Sequence, residues 1–380
     1  MSRRLIAMLA GVLMFGGAAS HAQEITIGMT GTFTGPNASN GIPYRNAAEI
    51  FPKTMGGVPV KWVVLDDGGD ATNAMKNARR FVDIDKVDAI VGSTSSPTAM
   101  TLFDIANSSK TVQFAMSPVA IPADKKAFVY NVPQPVSLMV SAVIKDMQSQ
   151  GVKTAAYIGY ADGWGDLNWN VFQDLAGKAG IKILAQERYN RTDPSVTAQA
   201  LKIVAANPDA VYIGASSTPA VLPQLTLKDQ GYEGKIYQTH GTVGQAFLDA
   251  GGKGVEGARM PTGPMVVVND LPDTNPIKKV SQDFIKAYQQ KWGAGPVPAF
   301  AGYAWDAMLL LDHAAAQAVK SAKPGTEAFR VALRDALDAG QDVVGTNGIY
   351  KFTTDDHYGV DDRARVMVVV KDGAFRLLKP

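Results

Sequence analysis

Short β-branched apolar runs alternate with helical stretches along most of this 380-residue chain, and that rhythm leaves few folds open. Ile25, Ile27 and Met29 mark a first strand, followed by a Gly/Pro/Asn/Thr loop over Gly31 to Pro43 and a helix carrying Ala47, Ala48, Ile50 and Phe51. Val58 to Leu65 reads as a second strand and Ala71 to Lys86 as a helix. Val87 to Val91 and Thr111 to Met116 read as further strands. After Asn131-Val132-Pro133-Gln134-Pro135, a stiff extended crossing, the alternation restarts. It gives strands near 154–160, 181–189, 210–214 and 235–239, each followed or preceded by a helix. Strands alternating with helices predict parallel sheets covered on both faces. The expectation is an α/β protein of two doubly wound parallel-sheet lobes. Pro261-Thr262-Gly263-Pro264 and Gly345-Thr346-Asn347-Gly348 read as two more crossings, which makes a three-segment hinge. The corresponding boundaries are 23–132 with 264–344 for one lobe and 133–263 with 345–380 for the other.

One stretch stands out for chemistry. Gly92-Ser93-Thr94-Ser95-Ser96-Pro97-Thr98 joins a buried strand to a helix whose apolar positions are Ala99, Leu102, Phe103 and Ala106. Ser96 is placed as N-cap and Pro97 as first helical residue. Neutral hydroxyls at a helix start suit a carboxylate held by hydrogen bonds better than a metal or a reaction.

Composition narrows the partners. With 46% hydrophobic and 19% charged residues the chain is globular and long enough for two domains. Ser2-Arg3-Arg4, the apolar Leu5 to Ala19 and Ser20-His21-Ala22 read as a secretory leader over residues 1–22, cut before Gln23. No later run is apolar for long enough to span a bilayer, so a periplasmic, not membrane-embedded product is expected. Without cysteine there is no disulfide and no lipid-modified cysteine. Removing Arg3 and Arg4 from 37 basic residues leaves 35 against 35 acidic ones, which offers no basic stripe for nucleic acid.

Catalytic motifs are absent: no G-x-x-x-x-G-K-[ST], no H-E-x-x-H, no G-x-S-x-G, and glycines at 28, 31 and 35 that miss G-x-G-x-x-G. His240, His313 and His357 are too scattered for a metal site, His313 reads as structural, and Asp66-Asp67-Gly68-Gly69-Asp70 lacks the remaining positions of a calcium loop. No metal and no cofactor are expected. What remains is polar and aromatic residues at the carboxyl ends of strands, where open α/β sheets bind ligands. These are Thr32 to Asn40, Ser93 to Thr98 and Pro118 to Ile121 in the first lobe. In the second they are Tyr160 to Trp164, Ser216 to Thr218 and His240 to Thr242.

The chain resembles the periplasmic solute-binding proteins of ABC transporters, in the type I branch that includes the leucine/isoleucine/valine-binding proteins. The resemblance rests on Ile25-Thr26-Ile27-Gly28 with Thr34-Gly35-Pro36-Asn37-Ala38 and Gly41. It also rests on Asp88-Ala89-Ile90-Val91-Gly92 with its Ser/Thr loop, on Ser117-Pro118, on Gly302-Tyr303 with Asp306-Ala307, and on Gly348-Ile349-Tyr350-Lys351-Phe352. It implies a small-molecule ligand, a permease as partner and a monomer. It implies that the loop matching Ser95, Ser96 and Thr98 and the segment matching Val119, Ala120 and Ile121 hold the ligand carboxylate, with Ser96 the anchor. Asn40 matches a position facing the cleft. Trp164 stands near the second-lobe aromatic, or else packs beneath its own helix.

The departures bear on specificity. Amino-acid binders of this family place an acid after the strand equivalent to Lys235–Thr239, to pair with the ligand ammonium. Here the loop reads His240-Gly241-Thr242-Val243-Gly244-Gln245. Where an aromatic is usual, this chain has Ser216-Ser217-Thr218. A small organic acid is expected, with His240 available to a second polar group and Asp162 the one acid able to compensate. The other readings are a ligand-sensing co-receptor of the same fold and an exported hydrolase, for which no nucleophile–base pair is found.

Overall fold

The computed structural model describes residues 23–378; the expected leader, 1–22, lies outside them. Two sheets organise the chain. The first runs in the order Thr54–Met55, Val58–Asp66, Ile25–Gly31, Ala89–Val91, Val112–Ala115, Val129–Asn131. All its pairs are parallel except the edge hairpin of Thr54–Met55 with Val58–Asp66. The second runs Ala374–Leu377, Val366–Lys371, Arg259–Thr262, Lys235–Gln238, Ala210–Gly214, Thr154–Tyr160, Lys182–Tyr189. Its two C-terminal strands pair antiparallel and the rest parallel.

Each sheet has a switch point. Ile25–Gly31 lies between Val58–Asp66 and Ala89–Val91, and Thr154–Tyr160 between Lys182–Tyr189 and Ala210–Gly214. Crossovers depart to opposite faces there, which opens a crevice at the strands' carboxyl ends. The helices Ala38–Ala48, Pro276–Trp292, Ala299–Ala318 and Glu327–Asp338 share one apolar core with the first sheet. A second large core surrounds the second sheet. The chain therefore leaves the first lobe, builds the second, returns and leaves again.

Several local expectations give way. The first loop was expected to reach Pro43, but the helix Ala38–Ala48 runs through that proline. Burial of Tyr44 and Ala47 in the core outweighs the missing amide. Ser95, not Ser96, is the residue before the helix Ser96–Met100, which stops after five residues and restarts at Phe103–Ser108. Thr101 there bonds its own hydroxyl to the Thr98 carbonyl at 2.7 Å, competing with the helical ladder. The glycine-rich stretch before Pro264 contains the strand Arg259–Thr262. Its parallel pairing to the neighbouring strand includes only Arg259, so Pro261 removes no amide bond on that side. The chain also stays with the first lobe beyond Gly348, because Tyr350 and Phe352 pack in that lobe's core.

At the hinge a buried polar knot joins the crossings. Gln134 donates to the carbonyls of Asn347 (3.1 Å) and Ala364 (2.7 Å) and accepts from Tyr303 (2.6 Å). Asp306 accepts from the amides of Thr346 (2.5 Å) and Asn347 (3.0 Å) and from the Tyr350 hydroxyl (3.0 Å). At Gly263, in the second crossing, a Cβ would fall 2.1 Å from Asn347 Oδ1, so only glycine lets the segments approach.

Candidate functional site

Between the lobes, at the two switch points, lies a narrow cavity. Asn37, Asn40 and Tyr44 reach it from the first loop and helix, Thr94, Ser95 and Ser96 from the Ser/Thr loop, and Ser117 and Pro118 from the loop after Val112–Ala115. Trp164, Arg191, Ser216, His240 and Gly241 close it from the second lobe, and Phe300 and Tyr303 wall its hinge side. The lobes are shut on each other. Asn40 Nδ2 donates to the Gly241 carbonyl at 2.9 Å, and the Ser39 and Ser217 hydroxyls are in hydrogen-bond contact.

Of the residues expected from the sequence, Asn40, Ser95, Ser96, Trp164, Ser216 and His240 meet at this cavity. Others are placed elsewhere. Thr98 turns inward to the Ser93 hydroxyl at 2.7 Å. Val119 is buried in a small core with Ala99 and Phe103, Ile121 packs against that core, and Ala120 faces solvent. Ser217 spans the lobe interface, near Ser39 and the Pro36 carbonyl, instead of lining the cavity.

Arg191 is a cavity residue that the sequence does not single out. It follows Lys182–Tyr189, and scanning the carboxyl end of that strand like the others was the signal that finds it. Its guanidinium carbon sits 4.0 Å from the Tyr160 ring centroid. Nε donates to Asp162 at 2.7 Å, and Nη1 donates to Asn37 of the other lobe at 3.1 Å and to Ser216 at 3.2 Å. Asp162 also caps the helix Gly163–Lys178 through the amides of Trp164 (2.9 Å) and Gly165 (3.2 Å). That carboxylate is occupied twice over. It does not line the cavity.

Two buried polar atoms on the cavity's residues have no hydrogen-bond partner: Trp164 Nε1 and His240 Nε2. The two rings meet edge to face at 5.5 Å. Burial pushes the His240 imidazole down to about 4, so it is neutral at physiological pH. The unfolded imidazole protonates near 6.5. This residue's stabilising contribution is therefore complete above about pH 6.5 and is lost as pH falls toward 4, by about 3 kcal/mol in all. Urea unfolding of wild type and His240→Gln at pH 7 and pH 4.5 checks this. The variant should lose less stability on acidification, and equal losses would contradict it.

Residues 24–374 match the periplasmic binding protein family, and the chain belongs to that family. An extracellular ligand-binding receptor from Rhodopseudomonas palustris HaA2 is 42% identical, with a TM-score of 0.92 over 94% of this chain and 100% of that one. A Leu/Ile/Val-binding protein homolog 3 from Brucella melitensis biotype 1 is 24% identical over 272 residues, 68% of this chain and 72% of its own. The fold is also that of a solute-binding protein of an ABC transporter from Rhodopseudomonas palustris BisB5, solved in complex with 3,4-dihydroxybenzoic acid. It is 17% identical with a TM-score of 0.79, over 93% of this chain and 95% of that one. The architecture is thus the type I periplasmic binding protein fold, similar to the leucine/isoleucine/valine-binding proteins. No helix among the described residues is long and apolar enough to cross a membrane.

Proposed function

We propose that this protein is a periplasmic receptor that captures a small organic carboxylate and delivers it to an ABC-transporter permease. The observation that carries this reading is the charge on the cavity wall. Among the described residues no aspartate or glutamate lines the cavity, and Arg191 is its only charged side chain. Asp162, the one acid nearby in sequence, is held by Arg191 and two backbone amides. An anion has a partner here and an ammonium has none. The carboxylic acid in the remote relative from strain BisB5 is in keeping with this ligand class. Entry requires the lobes to part, with the change in backbone angles at the 131–135 and 261–264 crossings and in the segment after Phe352.

Native mass spectrometry of protein purified without denaturation tests the reading. The expected result is a complex that releases a small acid, detected in negative-ion mode. Bound leucine, isoleucine or valine would overturn it, and so would conversion of an added acid to product.

A further inference from the structure

We propose that Arg191 anchors the ligand's carboxylate from the second lobe, while Ser95 and Ser96 accept a hydrogen bond from a hydroxyl or N–H at the ligand's other end. This rests on the organic-acid reading above and fixes the orientation that reading leaves open.

Proton direction distinguishes the two walls. A hydroxyl has one proton to give. Ser96 Oγ lies 2.6 Å from the Pro118 carbonyl, which can only accept, so Ser96 donates there. The Ser117 hydroxyl, 2.9 Å away, must then donate to Ser96. Ser95 is fixed from farther off. Every partner of the Asp67 carboxylate is a donor: Ser93 (2.6 Å), Thr30 (3.3 Å), Thr32 (3.1 Å) and the Gly69 amide (2.9 Å). With the Ser93 proton on Asp67, the Thr98 proton goes to Ser93 across 2.7 Å or to the Ser95 carbonyl across 3.0 Å, and in neither case to the Ser95 hydroxyl. Ser95, 2.7 Å from Thr98, must in turn donate to Thr98. Both serines therefore show the cavity lone pairs. Tyr44 and Tyr303 are alike, their protons given to the Met116 carbonyl (2.8 Å) and Gln134 Oε1 (2.6 Å). The helix behind Ser95 is five residues long and Pro97 removes one of its amides, so its end adds little for an anion.

Donors gather on the opposite wall. Arg191 carries the only positive charge at the cavity, and Trp164 Nε1, which can only donate, has no partner. The lone pairs of Ser95 and Ser96, beside a Thr94 hydroxyl that accepts from the Thr32 amide at 2.9 Å, face these donors and favour a ligand with an acid at one end and a hydrogen-bond donor at the other.

Arg191 also bridges to Asn37 of the first lobe, so loss of the side chain loosens closure as well. The test separates the two roles by comparing acids with their uncharged amides. Calorimetry with 3,4-dihydroxybenzoate, 4-hydroxybenzoate and 3-hydroxybutyrate, each against its carboxamide, is run on wild type, Arg191→Gln and Arg191→Gln/Asp162→Asn. The double variant removes both partners of the ion pair, so the net charge stays constant, and thermal denaturation confirms that each variant folds. Wild type should prefer at least one acid over its amide by about tenfold or more, as expected of a charge-assisted bond. In both variants that preference should fall to near unity. If affinity drops equally for acid and amide, Arg191 is a latch only and the proposal is overturned while the organic-acid reading stands. If wild type binds none of the acids but binds an amide or an amino acid, the organic-acid reading itself fails.

Discussion

Replacing Asp306 with alanine should destabilise the protein by about 3–5 kcal/mol, the largest loss expected from any single polar truncation in the hinge. The carboxylate is fully buried within the long helix Ala299–Ala318. Burial pushes it up to about 6, and its donors oppose that rise, so it is ionised at neutral pH. Truncation leaves the Thr346 and Asn347 amides without their acceptor in a dry environment, while the Tyr350 hydroxyl falls back on the Val132 carbonyl at 3.1 Å. Those residues lie in the first lobe shortly before its last crossing, and the Asn347 carbonyl accepts from Gln134 of the first crossing. Urea denaturation monitored by tryptophan fluorescence measures the effect. A loss below about 1 kcal/mol would mean that the knot contributes little to holding the crossings together.

Leucine, isoleucine and valine should fail to stabilise this protein in thermal-shift screening, although a relative carries their name. Burying an α-ammonium without a counter-charge costs several kcal/mol, roughly. A polar partner left unmade in a closed site can reject a ligand by factors of up to about 10⁴. The second lobe offers that ammonium Trp164, Ser216 and a neutral His240, beside an Arg191 that is itself a cation paired with Asp162. Asp162 cannot turn to it without giving up both Arg191 and its helix cap. Micromolar binding of any of the three would contradict the reading of the cavity's charge.

Much of the fold was legible because buried parallel strands need β-branched apolar runs. Thr154–Tyr160 and Ala210–Gly214 fall where the sequence places them, and so does the helix Pro276–Trp292. The strand Arg259–Thr262 was hidden by its proline, which costs nothing only because of how its neighbour ends. Helix Ala38–Ala48 was shortened in the reading for the same reason, a proline that tertiary burial overrides. The candidate site was half legible. Strand-end loops pointed to Ser96, Trp164 and His240, but family likeness drew Thr98 and Val119 toward a ligand when both are turned into the protein. The polarity of Ser95 and Ser96 was not readable at all. It follows from where Thr98 and Ser96 send their protons, to Ser93 or the Ser95 carbonyl and to the Pro118 carbonyl, contacts that only coordinates reveal.

The central claim is that this cleft holds a carboxylate and has no place for an α-ammonium. Calorimetry with two matched pairs tests it most directly: 4-methylpentanoate against leucine, and 3-phenylpropanoate against phenylalanine. Within each pair the ligands differ only by the amino group. The account predicts that the deaminated acid binds more tightly in each pair, by about tenfold or more. Tighter binding of leucine or phenylalanine than of its deaminated partner would contradict it.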